Sequence, residues 1–376
     1  MNYETILNQK IQGIQPSGIR KFFDILEEMK DAISLGIGEP DFVTPWHIRD
    51  AGIYSLERGY TKYTSNAGMA ELRREIASYL DRRFGLKYDY ASQILVTVGG
   101  SEALDLSLRV LLNPGDEVII PVPSFVCYGP LTEMAGGVPV YVELKAENQF
   151  RLTPEQLKAA ITPRTKALVL PFPSNPTGGI MERQDLEALA QVLRDTEIMV
   201  VSDEIYAELT YGQRHVSMAN LEEMYDRTIV VNGFSKSHAM TGWRVGVAIA
   251  EPEILEVMSN INNSLIYTAP SISQRAAIQA LAIRQTIREK YVLAYRDRIF
   301  YAADRMEQIP YLSLVRPKGT FYLFPGIEKT GLSAEDFCQA LLERAHVLVT
   351  PGTLFGSTGA GHFRIACTVG LDRLKE

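Results

Sequence analysis

The chain has 376 residues, of which 46% are hydrophobic and 22% charged, a composition typical of a globular enzyme with a sizeable core. Its formal net charge of −7 argues against nucleic acid or an anionic membrane as the main partner. Three scattered cysteines, an N-terminus without an apolar signal segment and the absence of a long apolar run lead us to expect a reduced, cytoplasmic protein without membrane spans.

Short apolar runs predict buried strands along the first two thirds of the chain. They cover residues 93–98, 116–122, 138–144, 166–172, 197–203, 227–233 and 244–250. Helical patterns such as "SEALDLSLRVLL" and "RQDLEALAQVLRDT" lie between several of them. Continuous apolar strands that alternate with helices favour an α/β fold with a mostly parallel central sheet covered on both faces. In such a sheet, ligands bind beyond the carboxyl ends of the strands.

The pattern changes after about residue 270. A helical run over 271–309 precedes "GTFYLFPGI", a helix around 333–345, "HVLVTPG" and "HFRIACTV", and this order predicts a smaller α+β domain. We therefore expect a large cofactor-binding domain over 45–275 and a small C-terminal domain over 276–376. The segment 1–44, whose only strand-like run is "AISLGIG", is expected to pack with the small domain.

Lys236 stands in "VNGFSKSHAMTGWRVG", directly after one of the predicted strands. A lysine is usually a solvated surface charge, but burial lowers the pKa of the amine and leaves a nucleophile that forms Schiff bases with aldehydes. Arg244, eight positions on, carries a guanidinium fork that suits a phosphate, and Ser235 adds a hydroxyl. An aldehyde and a phosphate on one ligand describe pyridoxal 5′-phosphate.

Other strand ends carry the groups that this cofactor needs. Asp203 could pair with the pyridine nitrogen, although it could also be a helix N-cap, and Tyr206 could donate to the phenolate oxygen or simply pack. Asn175 lies in "SNPTG", which is also ordinary turn chemistry, and Ser101 opens a helix whose first N–H groups could bind phosphate or only form a tight turn. Each signal is weak alone, but together and in this order they favour the cofactor.

The motifs "YTSNAG", "SNPTG", "SDEIYAEL" and above all "GFSKSHAMTGWRVG" resemble those of fold-type I pyridoxal-phosphate enzymes of the class I/II aminotransferase family. The resemblance spans roughly residues 15–372. "GEPDF" and "AMTGWR" resemble the bacterial branch that includes aspartate, aromatic and broad-specificity transaminases.

The resemblance implies a role for each matching residue. Lys236 would hold the cofactor and move the substrate proton, while Arg364, the Gly38 backbone and Asn175 would bind the substrate. Tyr63 would reach the phosphate in the neighbouring subunit, so a homodimer with active sites at the interface is expected. The other implied cofactor contacts are Gly100, Ser101, Phe125, Asn175, Asp203, Tyr206, Ser235 and Arg244.

The sequence departs from the family pattern in two places. Gly233 stands where some relatives have a phosphate-binding serine, and the C-terminal helix is short. The histidines lack metal-ligand spacing, so no metal site is predicted.

The implied activity is transfer of the α-amino group of an L-amino acid to a 2-oxo acid such as 2-oxoglutarate by a ping-pong mechanism. The donor would be an aromatic amino acid, aspartate or a broad range of amino acids. The reaction would belong to amino acid metabolism and its biosynthetic processes. A C–S β-lyase of sulfur amino acids and a cyclopropane-forming synthase would use the same residues. A transcription regulator with this fold and a lysine aldolase on a barrel fit the sequence less well. Arg20 or Arg109 could bind a second carboxylate, whereas Phe125, Tyr63 and Tyr128 suit an aromatic side chain.

Overall fold

The central sheet contains each of the apolar runs that the sequence predicted as strands. In this computed structural model, which describes residues 1, 3–14, 29, 32–282 and 286–376, they follow the short helices α1 (Tyr3–Ile6) and α2 (Gln9–Gln12) and strand β1 (Ile33–Ser34). The sheet strands are β2 (Ile94–Thr97), β3 (Glu117–Val122), β4 (Val138–Glu143), β5 (Thr165–Leu170), β6 (Met199–Asp203), β7 (Thr228–Gly233) and β8 (Gly246–Ile249).

The strand order across the sheet is β2-β8-β7-β6-β5-β3-β4. Strands β2 to β7 all run in one direction, and β8 alone is antiparallel to its two neighbours, β2 and β7. The predicted mostly parallel sheet is therefore confirmed. The carboxyl ends of β2, β3, β5, β6 and β7 lie at one edge, and the amino end of β8 lies at the same edge because β8 is reversed.

Helices cover both faces of this sheet, since successive side chains of a buried strand point to opposite sides. Leu168 and Leu170 pack with Leu189 on one face, while Val169 packs with Leu108 on the other. Burying each such leucine contributes about 1.5–3 kcal/mol relative to its exposed state. The helices are α3 (Trp46–Glu57), α4 (Ala70–Phe84), α5 (Gly99–Leu111), α6 (Tyr128–Met134), α7 (Pro154–Ala160), α8 (Arg183–Leu193), α9 (Pro252–Leu265) and α10 (Ser271–Ala282).

An apolar core in the C-terminal part contains Tyr295, Ile299, Phe321, Phe363 and Ile365, and Tyr206, Leu209 and Tyr211 of the central part pack into it as well. Its elements are α11 (Thr286–Met306), β9 (Tyr322–Leu323), α12 (Ala334–Ala345), β10 (Val347–Leu348), β11 (Thr350–Pro351), β12 (Phe363–Ala366) and α13 (Leu371–Lys375). Strands β11, β12 and β9 form an antiparallel sheet in that order. The run expected as one long helix is described as α10 and α11, and its residues 283–285 lie outside the described residues.

The N-terminal segment contacts the C-terminal part through β1, which pairs in parallel with β10. Ile33 lies opposite Val347, and the backbone N–H of Leu35 donates to the carbonyl of Leu348 at 2.8 Å. Among the helices that the structure describes, none is both long and apolar enough to cross a membrane.

Candidate active site

A cavity of about 330 Å³ opens at the sheet edge where the strand ends meet. Eleven of the twelve residues that the sequence predicted for the site line it, and Tyr63 does not. The predicted residues in its wall are Gly38, Gly100, Ser101, Phe125, Asn175, Asp203, Tyr206, Ser235, Lys236, Arg244 and Arg364. Residues far apart in the chain converge here because parallel strands deliver their carboxyl ends to one edge.

Lys236 follows β7 and extends its amine into the cavity. The Nζ atom donates to the carbonyl oxygen of Gly38 at 2.7 Å. Burial lowers the pKa of Lys236 to about 8, and the positive charges of Arg364 and Arg244 act in the same direction, while Glu39 opposes them. A substantial fraction of neutral amine is therefore present near neutral pH, which is the form that attacks a carbonyl carbon.

This lowered pKa predicts how the ligand-free protein reacts with pyridoxal phosphate. Only the neutral amine attacks the aldehyde, so the second-order rate constant should rise about tenfold per pH unit below pH 8 and level off above it. Stopped-flow absorbance from pH 6 to 10 measures this profile, after correction for ionisation of the free aldehyde. A rate that still rises steeply at pH 10 would show that Lys236 titrates like an ordinary exposed lysine.

Asp203 ends β6, and its carboxylate is held from two sides. The Tyr128 hydroxyl donates to Oδ2 at 2.7 Å, and the backbone N–H of Ile205 donates to Oδ1 at 3.2 Å. Burial raises the pKa of Asp203, although these two hydrogen bonds act against it. Within the described part of the chain no cation forms an ion pair with this buried carboxylate, which is costly, so the site suits a ligand that brings a protonated ring nitrogen.

Tyr128 lines the cavity, as the contact with an aromatic substrate suggested by the sequence would require. Its hydroxyl, at the start of α6, also donates to Asp203. Its ring makes a T-shaped contact with that of Phe125, with centroids 6.0 Å apart. No local pattern could show that its hydroxyl reaches a strand end 75 positions away.

Arg364 lies in β12 between Phe363 and Ile365, which point into the C-terminal core as the alternation predicted. Its guanidinium is 2% exposed and donates to Asn175 Oδ1 at 2.9 Å and to the carbonyl of Gly36 at 2.5 Å. The Nε atom is buried without an acceptor. Among the described residues no carboxylate forms an ion pair with it. This guanidinium is therefore ready to bind an anionic group planar enough for two hydrogen bonds, such as a carboxylate.

The rings of Tyr322 and Phe355 lie over this guanidinium, with its Cζ atom 4.6 Å and 4.8 Å from their centroids. Burial lowers the pKa of Arg364, but an arginine stays charged under such conditions. Tyr322 also lines the cavity and was not predicted from the sequence. Its hydroxyl lies 2.9 Å from the hydroxyl of Tyr206.

The opposite end of the cavity has the features of a phosphate site. Helix α5 begins at Gly99, whose φ of +78° would strain any larger residue, and an added Cβ would lie 2.5 Å from Arg244 Nη2, so that this guanidinium would have to move. Arg244 itself has a φ of +53°, a conformation that costs a non-glycine residue about 1–2 kcal/mol. The free N–H groups of the first helical turn and this guanidinium face the same space as Ser101 and Ser235.

The predicted departure at Gly233 has a steric reason. A Cβ at this position would lie 3.0 Å from Ile205 Cδ1 and 3.1 Å from the carbonyl oxygen of Val245. A serine would fit here only if its neighbours moved by a few tenths of an ångström. The hydroxyl groups at the phosphate end of the cavity therefore come from Ser101 and Ser235.

Tyr63 lies outside the cavity of its own chain. Its side chain is 81% exposed, and its ring contacts that of Tyr267 with centroids 4.8 Å apart. Of the two arginines considered for a second carboxylate, Arg109 is bound to Asp105 one helical turn away on α5, and it does not line the cavity. Arg20 lies outside the described residues. The described residues contain no group of three or more His, Cys, Asp or Glu side chains that could hold a metal ion.

These residues fit pyridoxal phosphate. An amine with a lowered pKa, a buried carboxylate and a glycine-lined helix start with an adjacent guanidinium suit the aldehyde, ring nitrogen and phosphate of that molecule, in that order. Phe125 supplies a ring at the cavity wall, and Asn175 and Tyr206 supply donors. The fold and this set of side chains define a pyridoxal-phosphate-dependent enzyme.

Comparisons with known proteins agree with this class. The model of the family "Aminotransferase class I and II" matches residues 30–375. Aspartate aminotransferase of Geobacillus stearothermophilus is 42% identical over 98% of this chain and 96% of its own length. The crystal structure of an aromatic aminotransferase from Pyrococcus horikoshii matches with a TM-score of 0.89 and 40% identity, over 94% of this chain and 95% of that one.

A further solved structure, aspartate aminotransferase from Thermus thermophilus with maleate, gives a TM-score of 0.93 and 36% identity, over 98% of this chain and 97% of that one. The chain therefore belongs to the aminotransferase class I and II family. It is a pyridoxal-phosphate-dependent aminotransferase with the fold-type I architecture, which confirms the predicted fold, activity and cofactor.

Proposed function

We propose that this aminotransferase accepts L-amino acids with aromatic or other uncharged side chains and passes the amino group to a 2-oxo acid such as 2-oxoglutarate. The observation that carries the proposal is the charge of the cavity wall. Among the described lining residues the cations are Lys236, Arg244 and Arg364, and each matches a group other than a substrate side chain. Glu39, which also lines the cavity and accepts a hydrogen bond from Thr241, adds negative charge.

An uncharged side chain suits the remaining surface. Ile37, Leu104 and the rings of Phe125 and Tyr322 line the same cavity, which favours apolar and aromatic groups. We keep 2-oxoglutarate as the acceptor because its extra methylene, compared with the oxo acid of aspartate, extends its second carboxylate farther from Arg364. Solvent can then hydrate that carboxylate on the open side of the cavity.

Each polar residue has a proposed part in the reaction. Arg364, supported by Asn175 and the Gly38 backbone, binds the α-carboxylate and so orients the Cα–H bond. The Lys236 amine, free once the substrate is bound, takes the proton from the substrate Cα and would deliver it to the C4′ atom of the cofactor. Asp203 keeps the ring nitrogen protonated. The bound cofactor supplies an electron sink for the charge that develops at Cα.

The cofactor itself would be held at three places. Gly100, Ser101, Ser235 and Arg244 would bind its phosphate through N–H groups, hydroxyls and a guanidinium. Phe125 would stack on the ring. Asn175 and Tyr206 would donate to its phenolic oxygen, O3′, and both side chains line the cavity.

A donor that carries a second carboxylate is the alternative candidate. It is favoured by the relative from Geobacillus stearothermophilus, which is named an aspartate aminotransferase. The two donors are distinguished by mixing the cofactor-loaded protein with L-phenylalanine or L-aspartate, without an oxo acid. Loss of the visible absorbance band should be at least about tenfold faster with L-phenylalanine at equal concentration, as one unmatched buried charge costs more than 1.4 kcal/mol.

Faster conversion with L-aspartate would overturn the proposed substrate class. A band that persists while pyruvate and ammonia accumulate from a sulfur amino acid would replace the transferase with the C–S β-lyase. Two sequential half-reactions also require ping-pong kinetics, so initial rates with varied donor and acceptor should give parallel double-reciprocal lines.

We further propose a homodimer whose active sites lie at the subunit boundary. The exposed rings of Tyr54, Tyr60, Tyr63 and Tyr267 and the exposed Leu265 form an apolar surface that a second copy would cover. Tyr63 would then reach the partner's phosphate site. Sedimentation equilibrium should give twice the chain mass of 42.0 kDa.

We also propose a division of the chain into domains and a cellular location. The chain would divide into an N-terminal segment over 1–44, a large domain over 45–275 and a small domain over 276–376. The β1–β10 pairing, which joins the N-terminal segment to the C-terminal part, supports this division. We place the protein in the cytoplasm, within the biosynthetic part of amino acid metabolism.

A further inference from the structure

We propose that Tyr322 is a positioning residue whose hydroxyl donates a hydrogen bond to the Tyr206 hydroxyl and thereby directs the proton of Tyr206 toward the cofactor's phenolic oxygen, O3′. This inference rests on the proposed role of Tyr206. It adds a residue from the C-terminal part of the chain to the set that adjusts the electronic state of the cofactor.

The two tyrosines come from different sheets. Tyr206 follows strand β6 of the central sheet, whereas Tyr322 begins strand β9 of the three-stranded sheet. Tyr322 is 1% exposed and Tyr206 is 6% exposed, and their hydroxyl oxygens are 2.9 Å apart. Their ring centroids lie 5.8 Å apart at an interplanar angle of 73°, an edge contact that holds both rings in place.

The direction of this hydrogen bond follows from counting protons. Burial raises the pKa of Tyr206, and it also raises the pKa of Tyr322, although nearby Arg364 acts against the shift at both. Each hydroxyl therefore keeps its single proton at neutral pH. If the Tyr206 hydroxyl uses its single proton to donate a hydrogen bond to O3′, it can only accept in its contact with Tyr322. Tyr322 must then be the donor of that second hydrogen bond.

The ring of Tyr322 is fixed from the other side as well. The Arg364 guanidinium lies over it, with Cζ 4.6 Å from the ring centroid. Gly38 packs against its hydroxyl so closely that a Cβ on this glycine would lie 2.1 Å from the Tyr322 oxygen. The cation and the backbone of the β1–α3 segment therefore hold the ring in a position that keeps its hydroxyl oxygen within hydrogen-bond distance of Tyr206.

Donation by Tyr322 should strengthen the bond from Tyr206 to O3′, because hydrogen bonds in a chain polarise one another by roughly 10–30%. A stronger bond to O3′ stabilises its negative charge. It thereby weakens the attraction of O3′ for the proton on the nitrogen that joins Lys236 to the cofactor. Loss of the Tyr322 hydroxyl should therefore raise the pH at which that nitrogen titrates.

The test is an absorbance titration of the cofactor-loaded protein without substrate. We expect Tyr206→Phe to raise the midpoint of the visible band change by more than about one pH unit, which corresponds to one charge-assisted hydrogen bond. Tyr322→Phe should raise it by roughly a tenth to a third of the shift seen in Tyr206→Phe. The double variant should match Tyr206→Phe alone, because Tyr322 acts only through Tyr206.

Tyr211→Phe is the matched control. Tyr211 is also buried, at 6% exposed, and its hydroxyl donates to the carbonyl of Thr320, but it does not line the cavity. Its variant should leave the midpoint unchanged and lower thermal stability about as much as Tyr322→Phe does. An equal midpoint shift in this control would show that the effect reflects general loosening and would overturn the proposal.

Two other outcomes distinguish the role proposed for Tyr322 from the role proposed for Tyr206, on which it depends. If Tyr206→Phe leaves the midpoint where it is, the proposed role of Tyr206 fails, and the role of Tyr322 fails with it. If Tyr206→Phe shifts the midpoint while Tyr322→Phe does not, or if the two shifts add in the double variant, only the role of Tyr322 is wrong.

Discussion

Lys236→Ala should lower kcat/KM by at least about 10⁴-fold. The variant lacks both the amine that joins the cofactor and the base that moves the substrate proton, and general acid–base catalysis alone contributes up to about 10⁴-fold. Folding should survive, because the change removes an amine whose hydrogen bond, among the described residues, is to the carbonyl of Gly38. Steady-state rates with the preferred donor measure the loss, and small primary amines added to the buffer should restore part of the activity by supplying a base.

Lys145→Ala is the control, since Lys145 is exposed and forms an ion pair with Glu147, which is exposed too. This variant should keep the full rate. Retention of more than one tenth of the activity by Lys236→Ala would show that another group moves the proton.

The same variant also tests the proposed interface. Mixing Lys236→Ala with an inactive Tyr63→Ala chain creates heterodimers in which one site has both Lys236 and the partner's Tyr63. Random exchange should restore about a quarter of the wild-type activity, because half of the dimers are mixed and one of their two sites is intact. Activity no greater than that of the separate variants would place Tyr63 outside the partner's site.

Asp203→Asn should lower the rate of the first half-reaction by about 10³-fold, the upper range for loss of one preorganised electrostatic partner. The amide keeps the shape of the side chain but has no charge to hold the ring nitrogen protonated. One of its atoms also becomes an NH₂ group facing a donor, either the Tyr128 hydroxyl or the N–H of Ile205. Single-turnover absorbance with the preferred donor measures the rate.

Two further variants isolate the charge from the hydrogen bonds. Tyr128→Phe removes one donor and leaves the carboxylate, so we expect a loss of about tenfold. Asp297→Asn changes a 60% exposed carboxylate on α11 and should have no effect. A loss in Asp203→Asn that is no larger than in Tyr128→Phe would mean that the charge of Asp203 is not what supports the reaction.

Much of the fold could be predicted from sequence because its signals are local. The runs at 166–172 and 197–203 contain uninterrupted apolar stretches, 167–172 and 198–201, as a strand buried on both faces requires, and both became central strands of the sheet. The alternation around Arg364 correctly indicated that its neighbours face the core. Lys236 and Arg244 could be selected because their side-chain chemistry is specific to few ligands.

Other features depend on how distant segments meet. The reversed direction of β8 brings Arg244 to the start of α5, yet "RVGVAIA" has the same apolar pattern as its parallel neighbours. The hydroxyl of Tyr128 could equally have faced a substrate, and its bond to Asp203 forms only because the fold brings the start of α6 to the carboxyl end of β6. Tyr322 lies in "GTFYLF", where its pattern indicates only a strand.

The sequence by itself therefore determined the strands, the mostly parallel sheet and the type of cofactor, since apolar periodicity and side-chain chemistry are properties of short segments. Only the tertiary structure decided the direction of β8, the partner of Asp203, the contact between Tyr206 and Tyr322 and the exposure of Tyr63. These depend on strand order and on side-chain directions across long chain separations. They arise from packing between segments that are far apart in the chain, and the local pattern of one segment does not indicate which other segment it will contact.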